Sequence, residues 1–322
     1  MEVLQLNDTE KIEDIQSSTK PFILANTIET NLQEIRDNHI IPVFVKDNEP
    51  VISQADFIKS MIDVVQSIYP KETVLSPAIR VSHPIKGRIP DAKEKPANML
   101  TEAEKTIYYE RMAFAIEIPT ITETIDGNNL SLTVGGIKAY NLDNLYNKKG
   151  ADEHFKIYIG FQNKVCTNLC VWSDGYVGDL KVKSGEQLVD GIFNLVSDYN
   201  AELQLSALNN LGNYEISEQM FANLIGRCRM YQYLSPPLKS ALPELSFGDN
   251  QLGIVLKDYY QDKSFCRSDD GGINMWKLYN LFTGANKTSY IDTFLDRSVN
   301  AFEFINSIAN AVANKESSWF LN

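Results

Sequence analysis

The hydrophobic and polar positions along the chain fall into two regimes. From residue 112 to about residue 183 they alternate. MAFAIEIPTITETI (112–125) and LSLTVGGIKAYN (130–141) read as strands around Asp126-Gly127-Asn128-Asn129, a hairpin turn signal. FKIYIGFQN (155–163) and KVCTNLCVW (164–172) read as a further pair. Gly135-Gly136 inside the return strand predicts a bulge or a close backbone approach. Beyond residue 183 the period lengthens. Leu188, Ile192, Leu195, Val196, Tyr199 and Leu203 form one helical stripe. Phe221, Leu224, Ile225 and Cys228 form another behind the N-cap Ser217. Residues 252–260, 276–282 and 291–312 supply three more helices. Strands first and helices afterwards predict an α+β protein: a mainly antiparallel sheet over 112–183, packed with a largely helical C-terminal half.

The first 111 residues are less regular. Residues 1–35 are polar and acidic and read as a flexible or loosely docked arm. A single α+β domain is expected over 36–315, sheet-rich over 36–183 and helical over 184–315. Order is expected to begin near IIPVFV (40–45), a buried-strand pattern. Ser53 is placed to cap a helix that carries Phe57, Ile58, Met61, Ile62, Val65 and Ile68 on one face and stops at Pro70. Four prolines between residues 76 and 98 exclude a helix there and favour extended or turn structure. Thr101 with Glu104 three residues on is a capping box, and predicts a helix over TEAEKTIYYER (101–111).

Charge changes the picture in one place. The 322 residues carry a net charge of −12, with 43% apolar and 22% charged residues. That composition is globular and argues against a surface coated with phosphate-binding cations. Yet Arg80, Lys86, Arg88, Lys93 and Lys95 face only Asp91 and Glu94 between residues 80 and 95, a net of +3. Arg80, Lys86 and Arg88 are the candidate phosphate contacts. Lys93 and Lys95 would add longer-range attraction, and His83 lies among them. Tyr108, Tyr109, Phe155, Tyr158 and Phe161 could stack on bases where they face solvent, although strand alternation favours core positions.

Catalytic signatures are missing. The chain has no GxxxxGK[ST], GxGxxG, HExxH or GxSxG, so no nucleotide or metal cofactor is expected. His39, His83 and His154 are too widely spaced for a metal pattern. The acid-x-lysine triplets at Asp91-Ala92-Lys93 and Asp179-Leu180-Lys181 are of a kind that chance alone supplies. Asp269-Asp270-Gly271-Gly272 reads as a solvated turn before a metal site. Cys166 and Cys170, if on one strand, would stand ~13 Å apart and could share neither a bridge nor a metal. Asn168, Asn280 and Thr283 are amides and a hydroxyl able to orient a ligand or a base edge, with capping and sheet-edge bonding as the structural alternative. Were the protein an enzyme, they would be inspected with His83, Asp269 and Asp270. Trp276 and Tyr279 are expected in the core. The N-terminus lacks a basic region followed by an apolar one, and no apolar run approaches the ~20 residues that span a bilayer. A cytoplasmic protein without membrane contact is expected.

Several strings together carry a resemblance: RVSHPIKGRIP (80–90), YYERMAF (108–114), LSLTVGG (130–136), VCTNLC (165–170), NMWKLYNLFTGANK (274–287) and SYIDTFLDR (289–297). Over residues 38–312 the chain resembles domain-of-unknown-function family 3871 of Bacteroides-type bacteria. The shorter C-T-N and W-x-x-Y-N-x-x-T elements also resemble family 932 of phages and plasmids. The resemblance implies a setting in mobile or phage-like DNA and supplies no activity or catalytic residue. The reading it leaves is a nucleic-acid-associated, non-enzymatic protein whose partner is single- or double-stranded DNA. One alternative is an acidic protein-binding or DNA-mimicking protein that acts against restriction, with another protein as partner. The other is an enzyme of unknown reaction.

Overall fold

The computed structural model describes residues 21–38, 52–88, 90–92, 94–143 and 152–322. In chain order its elements are β1 (Ile28–Thr30), α1 (Leu32–Asn38), α2 (Gln54–Ile68), β2 (Ala78–Val81), β3 (Pro84–Arg88), β4 (Lys105–Tyr109), β5 (Arg111–Ile125), β6 (Asn128–Ala139), β7 (Glu153–Asn163), β8 (Leu169–Cys170), β9 (Tyr176–Val182), α3 (Gly185–Asp198), α4 (Ala201–Leu211), β10 (Glu215–Ile216), α5 (Glu218–Tyr231), α6 (Pro236–Lys239), α7 (Asp249–Gln261), β11 (Ile273–Asn274), α8 (Met275–Asn286) and α9 (Ile291–Asn314). The class is α+β. Among the described residues no helix is long and apolar enough to cross a membrane.

The main sheet is antiparallel throughout, in the order β1-β2-β5-β6-β7, with β8 and β9 both pairing with β7. Asp126 and Gly127 close the β5–β6 hairpin with φ of 47° and 75°. Both values lie in the left-handed region that a two-residue hairpin needs and that Asp and Gly accept most readily. The register slips between Ile118 and Thr122, where Pro119 has no N–H to give the ladder. That slip, rather than Gly135-Gly136, is the irregularity of the hairpin. The two glycines are the close approach. A Cβ on Gly136 would stand 2.5 Å from the Lys156 carbonyl oxygen and 2.5 Å from the Phe57 ring.

Phe57 explains that approach. It is fully buried on α2 and pushes into the sheet, its ring 5.0 Å from Phe114 and 4.8 Å from Phe155, edge-on to both. The alternation of β5 puts Met112, Phe114, Ile116 and Ile118 on this face, under α2 and α3. Ala113 and Ala115 fall on the other face, where they meet Phe294 and Leu295 of α9. The sheet is therefore covered on both sides. The distal part of α9, with Phe304, Ile305 and Ile308, continues into the core of the helical half.

Several expectations from the sequence are corrected. Residues 101–111 are not a helix. The capping box at Thr101 and Glu104 exists, but it closes only one short turn before β4 begins. Thr106, Ile107, Tyr108 and Tyr109 are β-branched or aromatic and favour a strand. Residues 164–172 are not one strand. A turn centred on Thr167, with φ of 58°, separates β7 from the two-residue β8, so the straight-strand argument about Cys166 and Cys170 does not hold. The stripe from Leu188 to Leu203 is two helices, broken at Tyr199-Asn200, where Asn200 caps α4. Order reaches back to residue 21 at least. Phe22 and Ile23 are buried, and β1 pairs with β2. The expected strand at 40–45 lies outside the described residues, as do residues 1–20.

Packing of this kind gives two glycine substitutions opposite signs. Gly136→Ala forces a methyl group into a filled interface and lowers unfolding stability by about 1–3 kcal/mol. Gly226→Ala lies on exposed α5 with nothing within 4 Å of the added carbon, and raises stability by about 0.5–1 kcal/mol. Urea unfolding of the two variants checks this; equal shifts would count against the packing described.

Candidate functional site

The basic segment does not act as one unit. Arg80 is turned inward, its Nε donating to Thr27 Oγ1 at 3.0 Å and its NH2 to the Thr27 carbonyl at 2.8 Å. It fixes the segment before β1 and is not a surface cation. Lys95 Nζ lies 2.8 Å from both carboxylate oxygens of Glu104. That ammonium, with the amide and hydroxyl of Thr101, holds the Glu104 carboxyl down to about 2. His83 is exposed between β2 and β3. Lys93 lies outside the described residues.

What remains is a ribbon. β3 and β4 pair only with each other, as a two-stranded antiparallel sheet apart from the main one. The register sets Lys86 opposite Ile107 and Arg88 opposite Lys105. By strand alternation the positions of residues 86, 88 and 105 share one face of the ribbon with that of Tyr109. Lys105 pairs with Glu102 at 2.6 Å, in the open, with the Glu102 side chain 90% exposed. A surface pair of this kind contributes about 0–1 kcal/mol and yields easily to another anion. At the base of the ribbon Tyr109 is buried. Phe155, Tyr158 and Phe161 are also buried, so none of the four offers a stacking surface.

Asn168, Asn280 and Thr283 do come together. Asn168 Nδ2 donates to the Asn280 carbonyl at 2.9 Å across 112 residues of chain. Asn163 Nδ2 donates to Asn280 Oδ1 at 3.3 Å, and Asn280 Nδ2 to the Trp276 carbonyl at 2.9 Å. Thr283 Oγ1 turns back on the carbonyls of Tyr279 and Asn280. One helical turn on, Lys287 Nζ reaches the Cys166 carbonyl and, at 2.8 Å, Thr167 Oγ1. The Lys287 carbonyl accepts from the amides of Leu24 and Ala25. Asn163, Asn168 and Asn280 are buried, so the constellation is a joint between the β7–β8 turn, α8 and the N-terminal segment. It binds main chain where a substrate would have to enter. Trp276 and Tyr279 are fully buried beside it, and burial pushes the Cys170 thiol upward, away from a reactive thiolate.

His83, Asp269 and Asp270 lie elsewhere. Asp270 Oδ1 accepts from the Gly272 amide in a tight turn where Gly271 has φ of 87°. Among the described residues no group of three or more His, Cys, Asp or Glu side chains could hold a metal ion.

A buried ion cluster went unnoticed in the sequence. Lys138 Nζ is fully buried on β6, 2.7 Å from Asp143 and 2.9 Å from Glu153, and 4.0 Å from the centre of the Phe155 ring. Glu153 also accepts from the Ile52 amide. Burial raises the Asp143 carboxyl, against the pull of Lys138. The signal was present: Leu130, Leu132, Val134 and Gly136 alternate inward on β6, and Lys138 is next in phase. On the opposite face Arg111 bonds Asp292 at 2.7 Å, while Tyr176 bonds Asp296 at 2.6 Å, tying α9 to the sheet.

The chain matches family DUF3871, described as "Domain of unknown function, B. Theta Gene description", over residues 7–321, and it belongs to that family. This match does not show the shorter likeness to family 932. No curated protein and no solved structure matches the chain.

Two outcomes follow from this geometry. Asn280→Ala strands the Asn163 Nδ2 donor in a dry interior and lowers unfolding stability by about 1–3 kcal/mol, read by urea denaturation; a loss below ~0.5 kcal/mol would contradict the joint. The Glu104 carboxyl is expected to titrate near pH 2 when followed by NMR, and to move up toward its ordinary value in Lys95→Ala. Its ionised form is favoured by folding, so its contribution is present above its unfolded value of 4.5 and lost as pH falls toward 2.

Proposed function

We propose that this member of the DUF3871 family is a non-enzymatic, nucleic-acid-contacting protein whose contact element is the β3–β4 ribbon. The observation that carries the reading is the register that sets Lys86, Arg88 and Lys105 on one face of a ribbon outside the main sheet. Two-stranded ribbons enter the major groove of duplex DNA, and cations at such a face meet phosphates. The non-enzymatic part of the reading rests on the joint of Asn168, Asn280 and Thr283, whose hydrogen bonds go to main chain and to one another. A setting in mobile or phage-like DNA belongs to the same proposal. The net charge of −12 opposes it at long range. Screening over about 10 Å at 0.1 M salt confines that repulsion to the neighbourhood of each acid.

The test is binding to labelled single- and double-stranded DNA between ~50 and ~200 mM salt. Affinity is expected to fall linearly on logarithmic axes. Exchange of Lys86, Arg88 and Lys105 together for Ala is expected to reduce the slope by about 0.9 per lost contact on duplex and about 0.7 on single strands. An unchanged slope would reject the ribbon. Absence of binding at ~50 mM salt would reject nucleic acid as the partner and turn the search to a protein that meets the acidic surface.

A further inference from the structure

The residues Leu24–Asn26, the start of α7, the α8–α9 turn and Arg297 enclose a cleft of about 600 Å³. That is ample for a small molecule. Its lining is unusual for this chain. Among the described residues nine line it, none of them a carboxylate, and Arg297 is the charged one, in a protein with 42 acids against 30 lysines and arginines.

Arg297 is held in place without being neutralised. Its Nε donates to the Ser246 carbonyl at 2.9 Å, and its NH1 to Ser289 Oγ at 2.8 Å. Among the described residues no carboxylate lies within ion-pair distance of its guanidinium, and NH2 makes no hydrogen bond to the protein. The nearby acids are engaged elsewhere: Asp296 with Lys156 and Tyr176, Asp249 with Arg229, Asp292 with Arg111. Guanidinium does not lose its proton in proteins, so a half-buried positive charge stands in the wall of a polar cleft. Asn26, Asn250 and Thr288 line it alongside. The rim is apolar and open, with Tyr290 67% and Leu24 51% exposed.

The surrounding backbone is consistent with an anion. α7 and α9 both open on the cleft; at α7 the Gly248 N-cap amide donates to Gln251 Oε1 at 3.2 Å, whereas the Tyr290 N-cap of α9 has no side chain bonded to it. The N-caps of α2, α3, α4, α5 and α8 are all bonded by Ser or Asn side chains. The open start of α9 favours negative charge, and Tyr290 there lines the cleft with Arg297.

We propose that this cleft binds a small molecule bearing an oxyanion, phosphate or carboxylate, on a flat apolar body. The oxyanion takes the free NH2 edge of Arg297, and the flat body lies on Tyr290. The site is separate from the β3–β4 ribbon and does not depend on the nucleic-acid reading.

The experiment is calorimetric and NMR titration of the whole chain with adenosine monophosphate, benzoate and inorganic phosphate at constant ionic strength. Saturable binding of adenosine monophosphate or benzoate is expected, with shifts at the amides of Asn250 and Thr288–Tyr290. Adenosine monophosphate alone would identify phosphate as the group, and benzoate alone carboxylate. Arg297→Gln is expected to weaken binding at least tenfold. Tyr290→Ala, at an exposed position, is expected to weaken the two flat ligands severalfold and leave inorganic phosphate unchanged. The Tyr290 comparison and the location of the wild-type shifts stand even where Arg297→Gln fails to fold. No saturable binding of any probe, shifts confined to other regions, or unchanged affinity in a folded Arg297→Gln protein would overturn the proposal.

Discussion

The fold depends on one joint, in which amide side chains of a main-chain turn, Asn163 and Asn168, fasten it to Asn280 of a helix. Between β7 and β8 the chain reverses at a turn that is exposed at Lys164 and Val165 and buried at Thr167 and Asn168, with Thr167 in the left-handed region. Where the turn enters the interior, an unmet buried peptide group costs about 1–3 kcal/mol. Asn163 closes the turn from within, accepting from the Val165 amide on its side chain and the Thr167 amide on its carbonyl. Asn168 and Asn280 then fasten it to α8, and Lys287 covers the Cys166 carbonyl. Since the Lys287 carbonyl also receives the Leu24 and Ala25 amides, three segments remote in sequence share one anchor. Apolar packing alone brings sheet and helices together without fixing their register; directional bonds at this point fix it.

Charge follows the same logic. This acidic protein places a notable share of its cations inside or against its own acids. Lys138 is sealed between Asp143 and Glu153, Arg80 binds Thr27, and Arg111 and Lys156 hold α9 to the sheet. A buried ion cluster of this sort contributes less by its attraction than by the cost of breaking it, because removal of Lys138 would leave two acids without their cation in a dry site. Counting cations in a sequence window therefore overstates the positive surface. Of the six residues between 80 and 95 singled out for nucleic acid, Arg80 and Lys95 already have partners.

Local chemistry was legible in the sequence wherever it decided the outcome. Asp126-Gly127 specified its hairpin, and Ser53 with Asp56 closed a real capping box on α2. The same reading failed at Thr101, where the cap was right but the β-branched and aromatic run behind it formed β4. It failed at 164–172 because a turn demanding a left-handed Thr carries no signal of the Gly or Asn kind at that position. Asn168, Asn280 and Thr283 were identifiable as residue types, yet their meeting depends on how α8 lies against the sheet. The cleft at Arg297 was invisible: its lining comes from four separate segments, and arginine on a helix reads as ordinary surface.

The proposed ribbon and the proposed cleft put positive charge to different uses, and dielectric surroundings separate them. On the ribbon Lys105 is open to solvent, with its Glu102 pair beside it. Attraction there is screened over about 8 Å at physiological ionic strength and acts only by summation over several phosphates. Arg297 is fixed by Ser246 and Ser289, is partly withdrawn from water, and feels Asp296 only at a distance, with no carboxylate within ion-pair reach among the described residues. Burial draws its proton affinity down, yet guanidinium has affinity to spare and stays charged. A single preoriented fork in that position has already met its ordering cost, so it needs one oxyanion, where the ribbon needs a polymer. Salt should therefore weaken the ribbon steeply and the cleft only slightly, because one contact displaces few counterions. The same acidic chain can thus carry two anion sites without contradiction, one open and collective, the other enclosed and single.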